Sequence, residues 1–194
     1  MATHNPGYIT SSTVSALLTG KGDTLLKGGK TFARQIARER FGVFDDDSAY
    51  SGNATEWGLT HEQAAIEAYE AHNLVSVHSS QIGITKGWLS CTPDGLVGTD
   101  GISEVKCHFN TDKHMANLLE NTWINEFESQ CLFQLMLTGR DWCDLVSYDP
   151  RWKPPLNLHS VRIARNPEWE AFCMDRIRQA EEIIADVLER LQCL

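Results

Sequence analysis

Residues 90–109 read SCTPDGLVGTDGISEVKCHF, and the fold turns on how this stretch doubles back. GTDG, residues 98–101, has the composition of a hairpin turn between two short apolar runs. Side chains alternate faces along a strand, so Glu104 and Lys106 point one way while Val105 points into the core. Closing the turn brings the Asp94 segment back beside them, with Asp94 within about one residue pair of Glu104. Two carboxylates and an ammonium then share one cluster.

Like charges this close are unfavourable unless a cation lies between them. Oxygen ligands suit Mg²⁺, with Mn²⁺ as a substitute; both are hard cations that keep waters and bind phosphate oxygens. The neighbouring lysine can orient or help deprotonate an attacking water, or offset phosphate charge. The cluster therefore points to metal-assisted hydrolysis of a phosphodiester. Taken singly, E-V-K is an ordinary strand ion pair and P-D-G an ordinary turn. The combination P-D-x9-E-x-K carries the reading.

Outward from this hairpin the period changes. Before it, SSTVSALLTG has hydroxyl residues ahead of an apolar run and Gly20 at its end, which predicts a short helix. KTFARQIARERFG spaces Phe32, Ile36 and Phe41 as a helix closed by Gly42. NATEWGLTHEQAAIEAYEAHN opens with Asn53 and Glu56 in capping-box spacing and runs Ala64, Ala65 and Ala68 along one side. LVSVHSSQIGI and GWLSCTPDGLV read as strands, as does GISEVKCHF. After them come a helix at NEFESQCLFQLMLTG, a strand at DWCDLVSYD, an edge strand at LNLHSVRIA and a long final helix from Asn166. Helices, then a mostly antiparallel sheet, then helices predict an α/β layered core in one domain spanning residues 1–194.

Composition bounds the function. No run approaches the ~18 apolar residues of a membrane span, and the N-terminus lacks the pattern of a secretory signal, so a cytoplasmic protein is expected. Six cysteines without a C-x-x-C pair give neither a zinc ribbon nor a disulfide framework, and they lack the clustering of an iron–sulfur site. HEQAA at 61–65 is not H-E-x-x-H, which removes a zinc-protease reading. The net charge of −9 is unevenly spread: residues 1–40 carry six basic side chains against two acidic ones, leaving −13 for the rest. Such a basic segment is either a polyanion-facing edge or a solvated helix face.

P-D-x9-E-x-K resembles the signature of the restriction-endonuclease-like nucleases. WGLTHEQAAIEAY, CTPDGLVGTDGISEVKC, ESQCLFQLMLTG and VSYDPRW together resemble, in order and spacing, the phage lambda-type alkaline exonucleases of the YqaJ-like viral recombinase family, over roughly residues 7–155. The resemblance implies a restriction-endonuclease-like core whose central, mostly antiparallel or mixed sheet is flanked by helices. It implies Asp94 and Glu104 as metal-binding carboxylates with the carbonyl of Val105, Lys106 as catalytic lysine, Glu62 reaching the metal from a helix, and Gln130 as the active-site glutamine. Ser12 and Thr92 fall where the family holds a terminal 5′-phosphate. The implied activity is Mg²⁺-dependent 5′-to-3′ digestion of one strand of linear double-stranded DNA, by a ring-shaped homotrimer working with a single-strand annealing protein.

Two positions depart from that pattern. Asn5 stands where the family places an arginine near the 5′-phosphate, so Arg34 or Arg38 is expected to compensate, and His108 replaces a proline after K-C. The competing readings are an endonuclease of the same superfamily, of restriction or junction-resolving type, and a non-catalytic DNA-binding subunit. The intact charged triad argues against the latter.

Overall fold

The computed structural model describes residues 5–20, 22–45, 52–78 and 83–193. In chain order these form β1 (Ile9–Thr10), a 3₁₀ turn (Val14–Leu17), α1 (Lys27–Arg40), α2 (Asn53–Asn73), β2 (Val77–His78), β3 (Ile84–Lys86), β4 (Leu89–Cys91), β5 (Gly95–Val97), β6 (Gly101–Cys107), α3 (Thr111–Glu120), α4 (Ile124–Thr138), β7 (Trp142–Tyr148), β8 (Leu158–Ala164) and α5 (Pro167–Gln192). The expected α/β layering is present: a five-stranded mixed sheet, ordered β2-β5-β6-β7-β8, and a three-stranded sheet, β1-β4-β3, are flanked by helices.

The hairpin forms as the turn composition predicts. Val97 pairs with Gly101 and Gly95 with Ser103, antiparallel, around a loop of Gly98–Asp100 in which Gly98 adopts φ +55°. Arg140 Nη1 fastens the turn by donating to the carbonyls of Gly98 (3.1 Å) and Gly101 (2.7 Å). Gly95 is required by contact: a Cβ there would lie 2.2 Å from Val77 Cγ1 and 2.4 Å from Ser103 Oγ.

Two runs read as single strands each divide between the sheets. In GWLSCTPDGLV, β4 belongs to the small sheet and β5 to the large one, separated at Pro93, which cannot donate to a ladder. LVSVHSSQIGI likewise yields β2 and β3, with residues 79–82 outside the described part. The central pair β6–β7 is parallel, which makes the large sheet mixed, and β8 lies at its edge as expected. The capping expectation for α2 is corrected: Gly52 is the cap residue, and Asn53 is already helical and cannot cap from there. SSTVSALLTG forms one 3₁₀ turn rather than an α-helix. Helix α3, with its Asn110 cap, had not been expected.

Helices cover both faces of β6. On one, Ala65, Ile66 and Tyr69 of α2 pack with Val97, Val105, Val146 and Tyr148. On the other, Cys131, Leu132 and Leu135 of α4 pack with Ile102, Cys143 and Leu145. A third cluster joins α1, α5 and the small sheet through Ile36, Ile177 and Ile9, and Phe133 of α4 reaches into it. The six cysteines are free thiols, four of them buried. Among the described residues, no helix is long and apolar enough to cross a membrane.

Candidate active site

Asp94 immediately precedes β5, and the pairing of Gly95 with Ser103 sets it opposite Glu104. Its Oδ2 accepts a 2.8 Å hydrogen bond from the Val105 backbone N–H. Glu104 is 2 % exposed, and its two oxygens are held separately. Oε1 receives Lys106 Nζ at 2.7 Å and Gln130 Nε2 at 2.6 Å; Oε2 receives Gln134 Nε2 at 2.7 Å. Lys106 Nζ also donates to Gln130 Oε1 at 3.2 Å and lies 4.6 Å above the Phe127 ring. One turn of α4 thus supplies two carboxamides that fix the carboxylate and the lysine together.

Asp94, Glu104, Val105, Lys106, His108 and Glu62 line one open cavity of about 380 Å³. Glu62 reaches it from α2, half-buried. Burial, then the charge of Glu104, pushes the Asp94 carboxyl up to about 8, against the Val105 N–H and Lys106. Burial opposes the Lys106 ammonium, but the Glu104 and Asp94 carboxylates outweigh it and hold its pKa above the ordinary lysine value. A lysine held cationic can orient a water or offset phosphate charge; it is poorly placed to accept a proton. Burial also pushes the Cys107 thiol up to about 12, leaving it a neutral wall of the cavity, and pushes His108 down to about 4, helped by the charges of Lys113 and Lys106.

The donor set fits a hard divalent cation. Among the described residues no three His, Cys, Asp or Glu side chains come together as a group that could hold a metal ion, so Glu62 does not join Asp94 and Glu104 in one. Two adjacent carboxylates and a main-chain carbonyl leave the remaining positions to water and substrate oxygens, as Mg²⁺ prefers. Burial first and then the charge of Glu104 raise the Asp94 carboxyl, and a cation between the two carboxylates would relieve the second of these.

The residues expected to hold a 5′-phosphate lie by the small sheet. β1 and β4 are parallel with Thr10 opposite Ser90, so Ser12 and Thr92, each two residues further on, emerge at the same end of the small sheet. Thr92 is also two residues from Asp94. Thr10 Oγ1 contacts Ser12 Oγ at 3.1 Å and Thr13 Oγ1 at 2.8 Å, a row of hydroxyls. Asn5 Nδ2 donates to Ser90 Oγ at 2.9 Å. Arg34 is exposed on α1, whereas Arg38 pairs through both Nη groups with Asp45. The geometry therefore leaves Arg34 the freer of the two candidate cations.

Sequence reasoning missed Gln134, fully buried against Glu104; the visible signal was a second glutamine one helical turn after Gln130. It also missed the clamp at the end of β7. Asp149, 0 % exposed, accepts from Arg151 Nε and Nη2 (2.7 Å each), from Arg151 N (3.0 Å) and from Thr111 Oγ1 (2.7 Å). Arg151 then donates to the carbonyls of His108 and Phe109 (3.1 Å each) and stacks 4.6 Å from the Trp57 ring. The loop after β6, and with it one wall of the cavity, hangs on this ion pair.

The model of the YqaJ-like viral recombinase domain matches residues 3–141. The chain belongs to the YqaJ-like viral recombinase family. Its fold matches the alkaline exonuclease LHK-Exo from Laribacter hongkongensis with a TM-score of 0.83 and 25% identity, over 96% of this chain and 92% of that one. The same exonuclease in complex with dAMP matches with a TM-score of 0.82 and 26% identity over the same shares. A phage-related exonuclease from Haemophilus somnus shares the fold, with a TM-score of 0.79 at 15% identity, over 95% of this chain and 96% of that one. No curated protein matches the chain. This YqaJ-like protein is a nuclease of exonuclease type, and the restriction-endonuclease-like reading of its fold stands.

Proposed function

We propose that this nuclease is a Mg²⁺-dependent 5′-to-3′ exonuclease that digests one strand of linear double-stranded DNA and leaves a 3′ single strand for phage-type recombination. The observation that carries the reading is the joint hold of Glu104 and Lys106 by Gln130, beside Asp94, at the floor of an open cavity. Asp94, Glu104 and the Val105 carbonyl would hold Mg²⁺, or Mn²⁺ in its place, with Glu62 facing it across the cavity. When bound, the ion lowers the pKa of a coordinated water and offsets charge on the phosphate. Lys106, kept cationic by Glu104, orients the attacking water and balances charge building on the phosphate oxygens. Gln130 holds the lysine at the carboxylate so that neither swings away between turnovers.

Ser12 and Thr92 would grip a terminal 5′-phosphate with their hydroxyls, and Arg34, or Arg38 if it releases Asp45, would supply the cation that Asn5 does not. The neighbour's complex with dAMP supports nucleotide binding by this chain. A ring-shaped homotrimer would gather three basic N-terminal segments around DNA and offset the acidity of each chain, with an annealing protein receiving the single strand in the host cytoplasm.

The test is digestion of linear duplex labelled at each end in turn, with Mg²⁺ or EDTA, beside closed circular DNA. Loss of the 5′ label first, with circles untouched, is expected. Cutting of circles would make the protein an endonuclease of the same fold, and tight DNA binding without any Mg²⁺-dependent product would make it a binding subunit. Sedimentation of the active enzyme as a monomer would remove the ring.

A further inference from the structure

His108 lines the cavity directly after β6, yet none of the roles above uses it. Its Nε2 lies 3.0 Å from Asn117 Nδ2, on α3. The same amide nitrogen lies 3.0 Å from Ser147 Oγ, on β7. Ser147 Oγ lies 2.8 Å from His114 Nδ1, and His114 Nε2 lies 2.8 Å from the Leu156 carbonyl oxygen. His114, Asn117 and Ser147 are all buried, out of competition with bulk water.

This chain of bonds has a fixed direction, because it ends at a group that can only accept. Leu156 O takes the proton on His114 Nε2, so His114 Nδ1 accepts from the Ser147 hydroxyl. With its one proton committed, Ser147 Oγ accepts from Asn117. Turning the amide over would set its oxygen against the Ser147 lone pairs, so the NH₂ group faces both Ser147 and His108. Asn117 therefore donates to His108 Nε2, and the ring carries its proton on Nδ1. Among the described residues Nδ1 has no hydrogen-bond partner, and it is not sealed from solvent. The backbone at His108 is pinned as well, through Arg151 Nη2 on its carbonyl.

Two side chains lining the cavity carry nitrogen. Lys106 Nζ is committed to Glu104 and Gln130; His108 Nδ1–H is the other. A neutral N–H donor beside two carboxylates suits a phosphate oxygen: it neither competes with the carboxylates for a cation nor forms an ion pair that resists product release. We propose that His108 Nδ1–H donates a hydrogen bond to a backbone phosphate oxygen of the bound DNA strand, and that Asn117 is the positioning residue that fixes this tautomer. The proposal rests on the nuclease reading, since it needs a DNA strand in the cavity.

The experiment measures the affinity of a fluorescently labelled, 5′-phosphorylated duplex in Ca²⁺, and kcat and KM for the same duplex in Mg²⁺. His108→Leu is expected to weaken binding about tenfold and raise KM more than it lowers kcat. His108→Asn, whose carboxamide N–H falls near the place of Nδ1, restores most of the loss. Asn117→Asp replaces the donor with an acceptor, moves the ring proton to Nε2, and presents a bare Nδ1 lone pair to the phosphate. It is expected to weaken binding as much as His108→Leu although the ring remains. Should Asn117→Asp fail to fold, the two His108 variants decide. Equal affinities for His108→Leu and His108→Asn, or wild-type affinity in both, overturn the proposal. If the wild type leaves DNA uncut, the nuclease reading fails, while the affinity series still judges His108; if it neither cuts nor binds, both fall.

Discussion

Asp94 and Asp149 lie toward the same end of β6 and meet opposite fates. Asp149, fully buried, is surrounded by a guanidinium, a hydroxyl and a backbone N–H, and despite burial its carboxyl is held down to about 2, chiefly by Arg151 and then Thr111. Asp94 faces a second carboxylate, and burial together with Glu104 pushes it up to about 8. Asp149 is satisfied entirely within the polypeptide, whereas Asp94 is left in conflict with its neighbour, the kind of perturbation that clusters at functional sites. The first site holds the cavity wall; in the function proposed above, the second does the chemistry. The wall serves the chemistry directly, since Arg151 fixes the carbonyls of His108 and Phe109.

Breaking the chemical side of this contrast should produce the largest effect. Asp94→Ala, Glu104→Ala and Lys106→Ala are each expected to lower kcat by roughly 10³-fold. Asp94→Ala keeps the melting temperature near or above that of the wild type, whereas the other two lower it, because each leaves one half of the buried Glu104–Lys106 pair without its partner. The two carboxylate variants also lose the activating cation, and Lys106→Ala keeps it. Near-normal digestion by Asp94→Ala would place the metal elsewhere.

Breaking the structural side should destabilise the fold rather than merely inactivate. Arg151→Met leaves Asp149 buried without its cation. The expected loss is about 2–3 kcal/mol, below the usual range for a buried pair because the Arg151 side chain is 40% exposed. That corresponds to a fall of about 5–10 °C in Tm. A melting curve unchanged from wild type would show that the clamp contributes nothing to the fold.

A smaller effect is expected at Gln134, which touches the conflict from behind. Gln134→Leu frees Glu104 Oε2 to rotate, so the Mg²⁺ concentration at half-maximal rate should rise about 10–100-fold, with much of the rate recovered at saturation. If the Mg²⁺ dependence is unmoved, the residue is packing alone.

The legibility of these sites in the sequence follows their range. The hairpin could be read because a glycine-flanked turn and period-2 alternation are local, and together they fixed Asp94 against Glu104 to within the observed register. Gln130, by contrast, was placed by resemblance, and Gln134 went unnoticed, because a glutamine inside an apolar helix looks like any other until the strand it faces is known. Asp149 and Arg151 were visible inside VSYDPRW without a role, since their partners at Thr111 and His108 are about forty residues away in the chain. The division of two strand runs between separate sheets was hidden for the same reason. Periodicity records which face of a strand is apolar, not which sheet it joins.

The subtlest prediction sharpens the contrast through the sign of its pH dependence. The Asp94 carboxyl ionises near its ordinary pKa in the unfolded chain and near 8 in the folded one. Between about pH 4 and pH 8 the folded protein therefore binds more protons than the unfolded, and metal-free stability falls as pH rises through that window, then levels off. Asp149 has the opposite sign in a different window: held down to about 2, it adds stability above its unfolded pKa and loses it as pH drops from about 4 toward 2. Asp94→Asn removes the like-charge conflict and should leave stability at pH 4 unchanged while raising it at pH 9 by about 1 kcal/mol or more, ~2–4 °C in Tm. Mg²⁺ should raise the wild-type Tm at pH 9 and have little effect on the variant, because the cation and the substitution relieve the same repulsion. Thermal melts of both proteins in EDTA and in Mg²⁺ across pH 4–9 decide it: parallel pH profiles for wild type and Asp94→Asn would mean that Asp94 and Glu104 are not in conflict, and that the aspartate contrast drawn between the two sites is wrong.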